Sequence, residues 1–288
     1  MDEKVREENK TENTNLRKTD AAKNALLQMR NDGLEPVKQT VRRIFSITED
    51  AASHEEIRDR LLSGGKVTGT NMCVMICAIL IASVGLNADS VAVIIGAMLI
   101  SPLMGSILAI AYGSVSNNVP LVRRHAIGFL FQIGFSVLTA VIYFWLSPIK
   151  TATAQLIART TPSFFDVLIA TAGGIAGIIG QTRKDKVNTI IPGVAIATAL
   201  MPPLCTCGYS IANRQWAMLG GAAYLFAINT YFIFFSASVV LSLLRIPKVK
   251  EMTQAQWKRM RRRMIRNTIL IVLPSIAISI VMVITQNA

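Results

Sequence analysis

The side chains that could bind an ion or a polar solute are few, and they lie inside long apolar runs. A proline inside a helix lacks an N–H and frees a carbonyl one turn back, and a buried amide needs a partner because leaving it bare costs several kcal/mol. Such groups in apolar segments predict either helix–helix contacts or the wall of a solute pathway. The candidate pathway residues are Ser101, Pro102, Pro202, Pro203, Gln132, Asn229 and Asp166.

Several polar candidates also have a purely structural interpretation. Asp166, at the start of a predicted span, is expected either to stabilise the first turn through the helix dipole or to contact a cation or proton. Gln132 and Asn229 are expected either to bond a neighbouring helix or to line a cavity. Asp89, in a short loop, is predicted to be a turn or cap residue.

The four cysteines are soft-metal candidates with few supporting residues. Cys73 and Cys77 share one helix face, and Cys205 and Cys207 follow the second proline motif. Thiolates prefer Cu(I) or Zn, but these pairs lack nearby His or acidic partners. We therefore predict small apolar packing residues, with no cofactor, no resident metal and no disulfides.

Catalytic motifs are missing from the sequence. The two histidines, His54 and His125, lie in the polar N-terminal segment and beside two arginines. Neither G-x-S-x-G, H-E-x-x-H nor a phosphate-binding loop occurs. We predict that the protein is not an enzyme.

The composition indicates a membrane protein. The chain is 52% hydrophobic and 16% charged, with a mean hydropathy of +0.45, whereas soluble domains carry roughly 25% charged residues. Residues 1–69 contain 13 acidic and 13 basic residues, so the net charge of +13 belongs to the apolar remainder. Basic clusters that flank apolar spans predict contact with anionic lipid rather than nucleic acid.

Seven apolar stretches approach or reach the roughly 20 residues that cross a bilayer. Placing the N-terminus in the cytoplasm puts most loop Lys and Arg inside and only Lys150, Arg159 and Arg214 outside, as the positive-inside rule requires. The charge pattern thus predicts a cytoplasmic N-terminus and an external C-terminus. Since the first 20 residues contain no signal peptide, we expect the first span to act as the targeting signal. The predicted spans are Thr70–Leu86, Ser90–Gly113, Ala126–Ser147, Ser163–Gln181, Asn188–Ile211, Gln215–Leu244 and Asn267–Thr285.

The N-terminal segment is predicted to be separate from the membrane part. Its first 20 residues are charged and lack aromatics, which is typical of disorder. Two later sets, Val41 with Ile44 and Phe45, and Ile57 with Leu61, form apolar stripes. We expect amphipathic helices that lie on the membrane or pack against a sister subunit, the last one capped by Asp50 or Ser53.

Two of the predicted spans contain matching proline breaks. A shift of 101 residues superposes Pro102 on Pro203, and a shift of 95 superposes Phe129-Leu130-Phe131 on Tyr224-Leu225-Phe226. Two three-span units in one chain have opposite orientations, which is the inverted-repeat plan of many transporters. Re-entrant hairpins are the alternative, but they would place six basic residues outside instead of three, so the charge favours full crossing.

The overall prediction is an all-α polytopic bundle of about seven spans. It consists of a cytoplasmic segment (1–69), repeat 1 (70–147), an inverted repeat 2 (163–244), a basic cytoplasmic loop (245–266) and a C-terminal span (267–288).

The two proline motifs resemble a known family. The runs Ile94–Gly105 and Gly193–Leu204, Asp166 ahead of Ala172–Gly177, and the asparagine of Leu225–Asn229 are similar to the DUF389 family of bacterial hydrophobic membrane proteins. The resemblance covers 66 to about 245 and implies a multi-pass protein of the bacterial inner membrane, without a substrate or activity.

The expected function is a channel or secondary transporter for a small ion or polar solute. The alternative is a non-transporting scaffold or sensor that acts through partner proteins. Small-residue faces, such as the glycines of span four, predict a homo-oligomer.

Overall fold

The computed structural model describes residues 51–184 and 200–249, with six isolated positions between Lys258 and Leu273. The predicted disordered start, the Val41 stripe, the first half of span five and most of the basic loop and last span lie outside these residues. The described helices are α1 His54–Gly64, α2 Gly69–Asn87, α3 Val91–Leu99, α4 Leu103–Val115, α5 Val119–Leu146, α6 Ala154–Ile157, α7 Phe164–Thr182, α8 Met201–Ala212 and α9 Trp216–Leu243.

The described part is helical, as predicted. Its only extended pairing is one isolated antiparallel bridge between Ala51 and Arg183. Four helices, α2, α5, α7 and α9, are long and apolar enough to cross a membrane, and α3 with α4 qualifies as one further span bent by 46°. The described residues thus contain four or five candidate spans, which confirms a multi-pass helical architecture and leaves the number seven a prediction.

Short turns with left-handed residues connect the long helices. Asp89, Asn117 and Arg214 have φ of 53°, 55° and 57°, and each follows a helix end. Asp89 accepts a hydrogen bond from the Gln155 N–H at 3.0 Å through Oδ1. The prediction that Asp89 is a turn residue is confirmed, and tight turns force the helices they join to pack side by side.

Helix α5 begins seven residues before the predicted span. The span prediction starts at Ala126, whereas the helix starts at Val119, with Asn118 accepting a bond from the Leu121 N–H at 3.2 Å and Pro120 in the first turn. Hydropathy marks where hydrocarbon begins, but a cap decides where a helix begins.

Helix α1 packs in the same compact unit as the apolar helices. The compact unit begins at Ala51, and Ser53 caps α1 by accepting from the Glu56 N–H. The apolar stripe of Ile57 and Leu61 is buried within the same chain, and α1 packs on α4. The stripe therefore faces neither lipid nor a sister subunit.

Several contacts gather one set of helix ends at what we call the basic end. The Arg60 guanidinium donates to the Arg183 carbonyl at 2.6 Å, and the Val249 N–H donates to the Ser116 carbonyl at 2.8 Å. These bonds bring together the ends of α1, α4, α7 and α9. The described basic residues here are Arg58, Arg60, Lys66, Arg123, Arg124, Arg183, Lys184, Arg245 and Lys248.

Hydrogen bonds also gather the helix ends at the opposite end of the bundle. Asn87 donates to the Ser147 hydroxyl at 2.6 Å, which joins the ends of α2 and α5. The Tyr209 hydroxyl donates to the Lys150 carbonyl at 2.6 Å, which places the end of α8 there too. Among the described residues this end has three basic side chains, Lys150, Arg159 and Arg214.

Helices α4 and α8 run in opposite directions along α5. On α4, Ser106 faces Gln132, and the helix ends at the turn into the first residue of α5. On α8, Gly208 lies against Ala140, so closely that a Cβ there would overlap it. Helix α8 then continues to the opposite end of the bundle.

Candidate functional site

The bend between α3 and α4 lies at Ser101 and Pro102. Helix α3 ends in tight turns, in which the Ile100 and Ser101 N–H groups donate to carbonyls three residues back, each at 3.3 Å. Pro102 has no N–H to continue the ladder, and α4 starts at Leu103, whose N–H lies 3.4 Å from Ser101 Oγ. Ser101 and Pro102 are half-buried.

The second proline pair begins a helix. Pro202 and Pro203 lie in the first turn of α8, where a missing N–H removes no intrahelical bond and the fixed φ fits the helix. The Thr206 hydroxyl donates to the Pro202 carbonyl at 3.0 Å. The residues that precede Leu200 lie outside the described residues, so a broken span here stays a prediction.

The N-termini of α4 and α8 both lie beside the middle of α5. Ser106 is the fourth residue of α4 and contacts Gln132. Gly208 is the eighth residue of α8 and contacts Ala140. Since a helix rises 1.5 Å per residue, both helices start near residues 133–135 of α5. The partial positive charges of two helix N-termini therefore approach the same depth from opposite directions.

The two predicted amides are both buried. Gln132 is 1% exposed and Asn229 is 4% exposed. Gln132 accepts a hydrogen bond from the Ser106 hydroxyl at 2.8 Å, so α4 and α5 are joined by a polar contact inside the apolar core. Gln132 is the fourteenth residue of α5, and Asn229 is the fourteenth residue of α9.

Asp166 forms the capping box of α7. Its Oδ2 accepts the Ser163 N–H at 2.7 Å and the Ser163 hydroxyl at 2.9 Å. Burial lowers the pKa of the Arg159 guanidinium, and the negative charge of Asp166 opposes that shift. The Asp166 carboxylate thus caps a helix at the opposite end of the bundle and lies away from the starts of α4 and α8.

The four cysteines are not brought together. Cys73 and Cys77 are exposed on α2, whereas Cys205 and Cys207 are buried on α8. Cys205 contacts the Ile79 carbonyl at 3.9 Å and helps to pack α8 on α2. No group of three or more His, Cys, Asp or Glu within the described ranges is placed to hold a metal.

Sequence reasoning missed Ser106 and Gly208. Ser106 provides the hydrogen-bond donor for Gln132, and Gly208 permits the close approach of α8 to α5. A small residue every few positions after each proline was the available signal. It does not reveal which helix lies opposite.

The bundle of apolar helices with buried amides defines a polytopic helical membrane protein. Residues 98–235 match the family model described as a domain of unknown function, DUF389. The predicted resemblance to this family is confirmed.

The chain is also similar to an uncharacterized protein of Methanocaldococcus jannaschii. The two are 30% identical over 172 residues, which cover 60% of this chain and 53% of the relative. The chain thus spans about half the length of this relative, which comes from an archaeon and not from a bacterium. No solved structure matches the chain.

Proposed function

We propose that this protein is a membrane channel or secondary transporter for a small ion or polar solute. The pathway passes the starts of α4 and α8. The observation that carries the proposal is that two oppositely directed helices both start beside the middle of α5, and that one of them forms a buried polar contact with α5 there.

An inverted repeat is the architecture that best accounts for this geometry. The left-handed turn residues Asn117 and Arg214 are 97 residues apart, and so are the first residues of α5 and α9, which are both 28 residues long. The register is therefore 97 rather than the 101 or 95 that the sequence motifs predict, because those motifs matched similar letters and not equivalent turns.

This register pairs residues that meet in space. Phe129 and Phe226 are equivalent, and their rings stack with centroids 6.1 Å apart and an interplanar angle of 21°. Equivalent residues that touch lie on a pseudo-twofold axis. Gln132 and Asn229, also 97 residues apart, follow one turn later on each helix, so the two buried amides flank that axis.

Full crossing of the α3–α4 pair is supported over re-entry. The pair starts after Asn87, which bonds Ser147 at the opposite end. It finishes at Ser116, which bonds Val249 at the basic end. A re-entrant hairpin would return to the end at which it started.

The chemistry of the site favours solutes with an electronegative group. Helix N-termini present N–H groups and partial positive charge, and Gln132 and Asn229 can donate or accept hydrogen bonds. Buried acids are not part of this set, so an anion or a neutral polar solute fits better than a bare cation.

The basic end is proposed to face the cytoplasm. Nine described basic residues lie there against three at the opposite end, in agreement with the positive-inside rule. This orientation implies a cytoplasmic N-terminus and contact with anionic lipid at the basic loops. A homo-oligomer in the inner membrane remains part of the proposal.

Flux into proteoliposomes tests the proposal. Wild-type protein is compared with the Gln132→Leu and Asn229→Leu variants across a panel of anions, cations and neutral solutes. We expect one solute class to pass and each variant to lower its flux about tenfold. Gln155→Leu, on α6 at the opposite end, serves as the matched amide control and keeps the wild-type flux.

The control decides what a loss of flux means. Equal losses in all three variants would assign the effect to folding. No flux of any solute through monodisperse wild-type protein would contradict the proposal and favour the sensor hypothesis.

A sensor acting through partner proteins is the second candidate. Helix α1 ends at Gly64, whose carbonyl contacts Gly105 in the first turn of α4, where a Cβ would overlap it. A partner that bound the segment preceding α1 could therefore move the helix that follows the α3–α4 bend.

A further inference from the structure

A basic pocket lies at the junction between the α1–α2 loop and the first turns of α5. It has a volume of about 270 Å³. Its charged and titratable lining is Lys66, Arg124 and His125, and none of its lining residues is acidic. His125 is 7% exposed, and its Nδ1 lies 3.0 Å from the Gly65 carbonyl, which fixes the loop against α5. Lys66 and Arg124 are exposed.

The charges of this pocket suit a phosphate group. Arg binds phosphate through paired N–H donors and Lys binds it as a point charge. Helix α2 starts at Gly69, beside the pocket residues Val67 and Thr68, so its N-terminus adds partial positive charge.

An apolar groove of about 360 Å³ lies on α5 next to the pocket, further along the helix. Leu130 is 65% and Phe131 is 59% exposed, which is the exposure expected of side chains that face lipid. The groove residues are Ile127, Leu130, Phe131, Gly134, Phe135 and Leu138.

The pocket and the groove lie next to each other along α5. Arg124, Gly128, Phe131, Phe135 and Leu138 follow each other at spacings of three or four, so they share one face of α5. From Arg124 to Leu138 the helix rises about 21 Å. One leaflet of hydrocarbon is about 15 Å thick, so the surface reaches from headgroup depth across that leaflet.

We propose that this surface binds one anionic phospholipid. The phosphate lies against Lys66 and Arg124, and an acyl chain lies along the groove from Ile127 to Leu138. The site is separate from the solute pathway and holds whether or not the protein transports a solute.

Native mass spectrometry of the purified full-length protein in detergent tests this site. Phosphatidylglycerol and phosphatidylcholine with identical acyl chains are compared. We expect preferential retention of phosphatidylglycerol, and about a fivefold loss of its affinity in each of the Lys66→Gln and Arg124→Gln variants. Arg123→Gln removes the same charge one residue away, outside the pocket, and should leave the affinity unchanged.

A groove variant tests the position of the acyl chain. Apart from its chain neighbours and its own helix backbone, nothing lies within 4 Å of a Cβ built at Gly134, so Gly134→Leu places its side chain in open space in the groove. It should weaken the binding of both lipids while the protein remains monodisperse.

Several outcomes would overturn the proposal. These are equal binding of the two lipids, a loss in Arg123→Gln as large as in Arg124→Gln, or displacement of the lipid by millimolar inorganic phosphate, which would make the pocket a site for free phosphate. A change in oligomeric mass in Gly134→Leu with unaltered lipid binding would assign the groove to a second copy of the chain.

Discussion

The two helical arms α4–α5 and α8–α9 share a plan but differ in surroundings. In each arm a helix of 12 or 13 residues leads through a left-handed residue into a helix of 28 residues. An apolar window of 18 residues was compared between the two long helices. In that window, 61% of the residues of α9 are buried, but only 28% of the residues of α5. Helix α9 thus lies in the interior of the bundle, whereas a larger part of α5 is exposed at its surface.

The prolines of the two arms also differ in burial and in position. Pro102 is half-buried at a bend of 46° between two helices, whereas Pro202 and Pro203 are buried in the first turn of one helix. The comparison teaches that the prolines of both arms lie where a helix starts, and that at Pro102 the chain also bends between two helices.

The largest expected effect is the difference between leucine substitutions at two glycines. Gly208 lies at a tight contact between helices, whereas Gly134 lies on an open helix face. Gly208→Leu places a side chain where a Cβ would already overlap Ala140 and approach the Val141 nitrogen at 2.9 Å. We expect it to lower the free energy of unfolding by about 3 kcal/mol. Gly134→Leu meets no neighbour and should change it by less than about 1 kcal/mol. Thermal unfolding in detergent measures both, and similar losses would refute the difference in packing.

The two proline sites should respond differently to alanine. In Pro102→Ala, the new N–H can continue the ladder of α3, so we expect a straighter span and about a tenfold change in flux. Pro203→Ala changes a first-turn residue and should cost about 0.5 kcal/mol of stability, with flux retained. Proteoliposome flux and thermal unfolding separate these effects. A larger flux change for Pro203→Ala would reverse the assignment of the bend.

A polar contact between helices should contribute more than one within a helix. Ser106→Ala removes the donor for the buried Gln132 carbonyl oxygen and should cost about 1 kcal/mol. Thr206→Val removes a hydroxyl that bonds a carbonyl of its own helix, and we expect about half that cost. Chemical denaturation in mixed micelles provides the comparison, and equal costs would show that the Ser106 bond does not hold the first arm together.

The smallest effect is expected at Asp166. Asparagine keeps an acceptor for the Ser163 N–H and hydroxyl, so Asp166→Asn should change stability by less than about 0.5 kcal/mol and leave flux unaltered. The Asp166→Ala variant removes the cap and should cost about 1 kcal/mol. Flux that falls in Asp166→Asn despite unchanged stability would show that the carboxylate contacts the solute.

Much of the membrane architecture could be predicted from the sequence. The positions of the apolar helices, the bend at Pro102, the turn at Asp89 and the cap at Ser53 all depend on neighbouring residues, and local propensity expresses such features well. The start of α5 at Val119 was missed because hydropathy reports the hydrocarbon boundary and not the cap at Asn118.

The candidate site was predictable only in part. Gln132 and Asn229 were identified because buried amides are costly in any apolar helix. Ser106 was not identified, because a serine in a membrane helix can donate its hydroxyl hydrogen to a carbonyl of its own helix. Only the facing helix determines whether it has a partner on another helix. The cap role of Asp166 likewise depends on Ser163 having the geometry of an N-cap.

By itself, the sequence determined that this chain lies in a membrane as helices, where its prolines start or bend them, and which loops are basic. Those properties follow from the transfer energies of side chains and the covalent geometry of proline, which act over one or two turns. Tertiary structure alone decided that α1 packs on α4, that Ser106 faces Gln132, and that Gly208 lies against Ala140. These depend on which helix faces fit closely enough to meet, and distant glycines such as Gly105 and Gly208 set that fit only once the chain has folded.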